Sequence, residues 1–263
     1  MSNVCIYIID DCWNIIKSFL LGNSNEWDDR NHVGYLKKYK QIINNEIGFT
    51  SYYNLLNKKI NYIQCSRACI KNIDIFYNCI KNANFILSIE LWHMEIDNYQ
   101  FNIICKLLYK LKNLKSLHLS NNHVSNIDNI APLLKNNIKL TSLGLSSNKL
   151  TNVNNLFKSL YHNKNLKNLY LNYNNINNIK YFIKLLTYNN KLSHINLSHN
   201  NIHNVYNLNK ILKNKYNIRY LCLSRNFLND DISNMLELTG KDNDNLIIVS
   251  QQRYNDLVIK PFY

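Results

Sequence analysis

The chain has 263 residues, 46% hydrophobic, with Lys+Arg 31 against Asp+Glu 17 and a formal net charge of +14. A chain of this length buries about three quarters of the surface it exposes when unfolded, which supports one sizeable core. No apolar run approaches the roughly 18 residues of a membrane helix, the 5 glycines offer no phosphate-cradling loop, and no nucleophile–base pair can be placed; a membrane-spanning protein and an enzyme are both disfavoured.

Residues 1–58 read as helical. One amphipathic helix spans about residues 11–20, with Cys12, Ile15, Ile16, Phe19 and Leu20 apolar and Asp10 or Asp11 as its cap, and it stops near Gly22. After a polar loop, a second helix spans about residues 33–47, carrying Leu36, Ile42, Ile43 and Ile47 on one face. The opening lacks a basic n-region, and Asp10-Asp11 break its apolar stretch. No signal peptide is expected, and an intracellular, cytoplasmic location is.

From residue 114 a phrase recurs: Leu114-x-x-Leu117-x-Leu119-x-x-Asn122-x-Val124. It returns at Leu140, Leu166, Leu192 and Ile218, at steps of 26 residues. Two degenerate copies precede it, Ile60-Ile63-Cys65-Ala68-Ile70 and Ile86-Ile89-Leu91-Met94-Ile96, both without the Asn. Leu246-Ile247-Ile248-Val249 reads as a closing strand of uncertain register. Self-similarity of this length and pattern resembles the leucine-rich repeat. About seven copies are present, and the helix-bearing unit is similar to the ribonuclease-inhibitor type.

One copy cannot bury its own apolar face, whereas stacked copies share a continuous core. Leu117 and Leu119 are two apart and so face the same side of a short strand. The second half of each unit has helical spacing: Ile127, Ile130, Leu133, Leu134; then Val153, Leu156, Leu160; then Ile179, Phe182, Leu185, Leu186; then Val205, Leu208, Ile211, Leu212. Pro132 fits a first helical turn. The expected fold is an α/β solenoid: a curved horseshoe with a parallel sheet inside, helices outside, the solenoid over 59–263 and a helical cap over 1–58. A buried amide can satisfy backbone groups where the chain leaves each strand, so Asn122, Asn148, Asn174, Asn200 and Asn226 are expected to form an internal ladder.

The N-terminal segment has a second resemblance. Ile9, Asp11, Trp13, Ile16, Phe19 and Leu20 follow the rhythm with which an F-box opens, although Asp10 stands in place of the F-box proline. In proteins pairing an F-box with leucine-rich repeats, the F-box holds a Skp1-like adaptor and the repeats hold a substrate for ubiquitination. The resemblance therefore implies a ubiquitin-ligase substrate adaptor. The alternative is a scaffold or inhibitor whose N-terminus only covers the end of the solenoid.

Strand residues facing away from the core line the concave side. Trp92, His118, Tyr170, Tyr173, His194, His199 and Tyr220 are the candidate partner-binding residues there, since Tyr and Trp give large contact area with few rotamers to freeze. In a chain with 19 Tyr, single exposed aromatics can also be incidental. The expected partner is a protein, with no cofactor, no metal and a monomeric chain. Nucleic-acid association ranks third: the lysines are scattered over helices and return loops, and Lys, Asn, Ile and Tyr are all enriched by an A/T-rich genome. The 7 Cys are an odd number without paired zinc spacing, so reduced structural thiols are expected, Cys65, Cys79 and Cys105 among them. Asn136-Asn137, Asn163, Asn189-Asn190 and Asn214 are expected in turns and left-handed helix ends.

Overall fold

The structure is a computed structural model that describes residues 62–66, 86–136, 139–161, 163–214, 217–241 and 246–250. The expected cap over 1–58, with the F-box-like residues, lies outside the described residues, as does Cys79 with its helical stripe.

Among the described residues, eight parallel strands form one sheet in chain order. They are β1 (Tyr62–Ser66), β2 (Ser88–Trp92), β3 (Ser116–His118), β4 (Ser142–Gly144), β5 (Asn168–Tyr170), β6 (His194–Asn196), β7 (Tyr220–Cys222) and β8 (Ile247–Val249). The repeat sets the register: Leu117 pairs with Leu143, Leu143 with Leu169, Leu169 with Ile195 and Ile195 with Leu221. A slip of one residue would turn every leucine to the opposite face, so the buried side fixes the alignment. The closing strand follows the same rule, with Leu221 paired to Ile248.

Behind the sheet lie α1 (Asn98–Lys110), α2 (Ala131–Asn136), α3 (Asn154–Ser159), α4 (Lys180–Tyr188), α5 (Leu208–Leu212) and α6 (Asp230–Lys241). Pro132 sits in the first turn of α2, as its missing N–H allows. The leucines of the strands and Phe101, Phe157 and Phe182 of the helices are fully buried in one core. Phe157 and Phe182 pack between neighbouring coils with their rings tilted at 47° and 5.4 Å apart. Each such side chain contributes about 1.5–3 kcal/mol of burial. No helix among the described residues is long and apolar enough to cross a membrane. The chain is an α/β leucine-rich-repeat solenoid, with strands on the concave side and helices on the convex side.

The helical stripes start later than their spacing suggests. Ile127, Val153 and Ile179 are buried but stand before their helices, with φ of −119°, −120° and −115°. The cause is a second asparagine lane. The side-chain oxygens of Asn126, Asn152, Asn178 and Asn204 each accept the backbone N–H two residues on, at 2.9–3.0 Å. This Asx-turn holds the intervening apolar residue out of helical geometry while pointing it at the core.

The ladder asparagines are buried as expected, and each serves two coils. Asn148 donates to Leu145 O of its own coil and to Leu119 O of the coil before, and its oxygen accepts Val124 N–H at 3.0 Å. Asn174, Asn200 and Asn226 repeat this pattern. That explains how the coil at Met94 manages without its own Asn: Asn122 of the next coil accepts Met94 N–H and Ile96 N–H and donates to Leu91 O.

Asn163 and Asn189 differ from the expectation of left-handed helix ends. Asn189 has extended backbone, φ −89° and ψ 130°. Both side chains are buried and tie the return loops together. Asn189 donates to Leu160 O and Asn163 O and accepts Lys191 N–H and Leu192 N–H. Asn163 does the same with Leu134 O, Asn165 N–H and Leu166 N–H. An extended backbone leaves the amide free to reach the carbonyls that the preceding helix end cannot satisfy itself.

Candidate functional site

The outward residues of β2–β7 form three lanes across the concave face. Between Ser88 and Cys222 these lanes hold serines, asparagines, His118, His194, Trp92, Tyr170 and Tyr220, one carboxylate (Glu90), and no Lys or Arg. On a chain of net charge +14 this surface carries one carboxylate and no cation. The alternation of the strands creates it, since the leucines take the inward positions and leave only these to face out.

His118 ends β3, and its ring crosses the backbone of Gly144 on the next strand, filling the space where a Cβ would sit. Its Nε2 shares a hydrogen bond with Ser142 Oγ at 3.0 Å. The ring reaches Tyr170, two strands away, with centroids 5.7 Å apart. Burial lowers the His118 imidazole from its ordinary 6.5 to about 4, so it is neutral at pH 7. Burial likewise raises the Tyr170 phenol. Tyr220 is raised strongly, by burial first, then by Cys222, with which its side chain is hydrogen-bonded, and by Tyr170. Cys222 in turn lies 3.2 Å from Ser224 Oγ. His194 is lowered by burial and by the Arg219 guanidinium, and its Nδ1 bonds Ser193 Oγ at 2.9 Å.

The seven sequence-derived residues thus divide. His118 meets Tyr170, Tyr170 and Tyr220 stand two strands apart and feel each other's charge, and His194 lies on β6 between those two strands. Trp92 is half-buried on β2, three strands from Tyr170, about 14 Å at the usual strand spacing. Tyr173 and His199 do not stand on strands. They occupy the turns that follow β5 and β6, with left-handed φ of 55° and 51°. Asn121, Ser147 and Arg225 hold the same conformation in their own coils. Because each turn repeats the last, Tyr173 and His199 project in one row and stack at 3.8 Å, 15° from parallel. Burial and neighbouring Arg225 lower the His199 imidazole. These residues form a rim beside the strand face.

Gly144 was not among the sequence-derived site residues. A glycine at a strand position, where close approach of another group is the usual reason for its presence, was the signal. Arg219 and Arg225, which set the electrostatics of His194 and His199, had no sequence signal beyond their repeat offset. Among the described residues no group of three His, Cys, Asp or Glu gathers as a metal site would require.

No protein-family model matches the sequence, and no curated protein matches it. Solved structures do resemble it. An internalin from Listeria monocytogenes is 16% identical, with a TM-score of 0.50 over 79% of this chain and 59% of that chain. Internalin C2 from the same organism is 21% identical, with a TM-score of 0.49 over 73% of this chain and 80% of that one. The chain thus spans 59% of the length of the first of these. At such identities the likeness concerns architecture alone, and it agrees with what the sheet register and asparagine ladder already give: the fold is the leucine-rich-repeat solenoid.

Proposed function

We propose that this protein is a non-enzymatic binding module that holds a protein partner on its concave face. The observation carrying this reading is the segregation of charge. A strongly basic chain presents a strand face without a single Lys or Arg from Ser88 to Cys222, lined instead by Trp92, Tyr170, Tyr220, histidines, amides and hydroxyls. Depletion of charge with enrichment of Tyr and Trp is the composition of an interface core. Affinity capture from the native cell, with Trp92→Ala/Tyr170→Ala/Tyr220→Ala as the comparison bait, tests it. A partner held by the native chain and lost from the variant supports the reading, and equal capture by both sinks it.

The finer reading is an F-box-type adaptor of a ubiquitin ligase, resting on Ile9, Asp11, Trp13, Ile16, Phe19 and Leu20 preceding a repeat array of ribonuclease-inhibitor-like, helix-bearing units. A pulldown with a Skp1-like protein decides it, and absence of binding by the intact chain eliminates it. Deleting residues 1–22 separates it from the scaffold or inhibitor alternative: an unfolded product favours a cap, and a folded product that loses only the adaptor favours the F-box.

A further inference from the structure

Between Tyr109 and Arg219 the chain carries sixteen Lys and Arg and a single carboxylate, Asp128. Many of these cations ride on the helices, as Lys110, Lys158, Lys184 and Lys210 do, and a further set gathers at the return loops. Lys112, Lys115, Lys164, Lys167, Lys191 and Arg219 are all exposed and lie in the return loops or at the strand starts. The return loops stack, as the Asn189 to Asn163 and Asn217 to Leu192 bonds show, so these cations run along one edge of the solenoid. Asp128 begins a 3-10 turn at the other end of its coil, beyond the exit from the strand, where it accepts Asn155 Nδ2.

Helix dipoles favour cations at helix C-termini, but that effect fades within the last turn. It does not reach Lys115, Lys167 and Arg219, which lie past the loops at the starts of β3, β5 and β7.

Tyrosines accompany the cations. A Tyr-x-x-Lys phrase closes three helical halves: Tyr109 with Lys112, Tyr161 with Lys164, and Tyr188 with Lys191. Tyr109 and Tyr188 are each 57% exposed. Lys112 Nζ lies 4.4 Å from the Tyr109 ring centre, and Tyr161 and Tyr188 lie 5.7 Å apart across two coils. A folded acidic protein would match the charge, but the exposed Tyr109 and Tyr188 rings beside the lysines favour unpaired bases, which offer a face to stack on. Duplex ends its needs at phosphate contacts, because its bases are already stacked.

We propose that this return-loop edge binds single-stranded nucleic acid, its lysines following the phosphates and its tyrosines stacking on unpaired bases. A cationic track interleaved with aromatic faces is the arrangement that takes single strands without base-pair readout. This edge adjoins the strand face at Arg219 and takes in none of its aromatic residues.

The test is fluorescence anisotropy of a labelled oligo(dT) with the full chain over a salt series. Binding should weaken with salt at a slope of about −0.7 per phosphate contact. Lys112→Gln/Lys164→Gln/Lys191→Gln should weaken binding at least about tenfold and flatten that slope. Tyr109→Ala/Tyr188→Ala should weaken it by roughly tenfold with the slope unchanged, because stacking releases no counterions. Trp92→Ala/Tyr170→Ala should bind as the native chain does. Circular dichroism confirms that each exposed-site variant is folded. No binding at low salt, native affinity in the lysine variant, or preference for duplex or for anionic lipid vesicles over the single strand would overturn the proposal.

Discussion

His118 lies over Gly144, its imidazole occupying the volume that any other residue at 144 would need for its Cβ. The glycine is what allows one side chain to span two strands, bonding Ser142 on one side and meeting Tyr170 on the other. Gly144→Ala should push the ring outward, break both contacts, and destabilise the protein by about 1–3 kcal/mol, the range for overfilling a packed site. A histidine-resolved NMR titration reads the displacement directly. His118 should titrate near 4 in the native chain and closer to its ordinary 6.5 in the variant. An unchanged titration would mean that the ring does not depend on the glycine.

The same histidine makes stability depend on pH. Its folded value, about 4, lies below the ordinary 6.5, so between the two the unfolded chain binds the extra proton. Stability then rises with pH across that window. The His118 contribution is complete above 6.5, falls as pH drops toward 4, and amounts to about 3 kcal/mol at most. His194 and His199 are shifted in the same direction and add to the trend. Urea unfolding at pH 7 and pH 4.5 (roughly 1.4 kcal/mol per pH unit for one proton) measures it. His118→Gln should remove most of the difference.

Asn174→Leu should cost about 1–3 kcal/mol, since it strands buried backbone groups. The damage should fall mainly on the preceding coil. Leu150 N–H loses its partner and Leu145 O keeps only Asn148, whereas Ile176 N–H keeps Asn200. Amide exchange should therefore accelerate at Leu150 and not at Ile176, and equal acceleration at both would contradict the arrangement.

Cys105 is a free, buried thiol on α1, and burial pushes it up to about 12. The thiolate is the reactive species, so Cys105 should resist iodoacetamide at pH 8 and react only when urea opens the core. Mass-spectrometric mapping of labelled peptides checks this.

The leucine lattice and the ladder of Asn122 to Asn226 were legible because each is a periodic demand that one residue type meets. The Asx-turn lane was visible as Asn126, Asn152, Asn178 and Asn204, but its effect on Ile127, Val153 and Ile179 was not. Spacing reports which residues are apolar, whereas a local hydrogen bond decides where helical geometry begins. Asn163 and Asn189 looked like ordinary turn residues because composition does not reveal whether an amide is buried. On the concave face, lane assignment found Tyr170 and Tyr220 outward, yet gave no hint that His118 reaches across to Tyr170. That contact depends on what is missing at Gly144. Tyr173 and His199 were read as strand-face residues because the repeat offset does not show the left-handed turn that carries them to the rim.

Because every ladder amide from Asn122 to Asn226 reaches back to the turn before it, the array has a direction. Trimming coils from the front leaves the first amide bonded to its own coil's carbonyls, with its oxygen open to water. Trimming from the rear takes from the last retained turn the acceptor of its backbone N–H and one of the two donors to its carbonyl. Shortened versions should therefore tolerate loss of early coils far better than loss of late ones, and fraying should start at the C-terminal end.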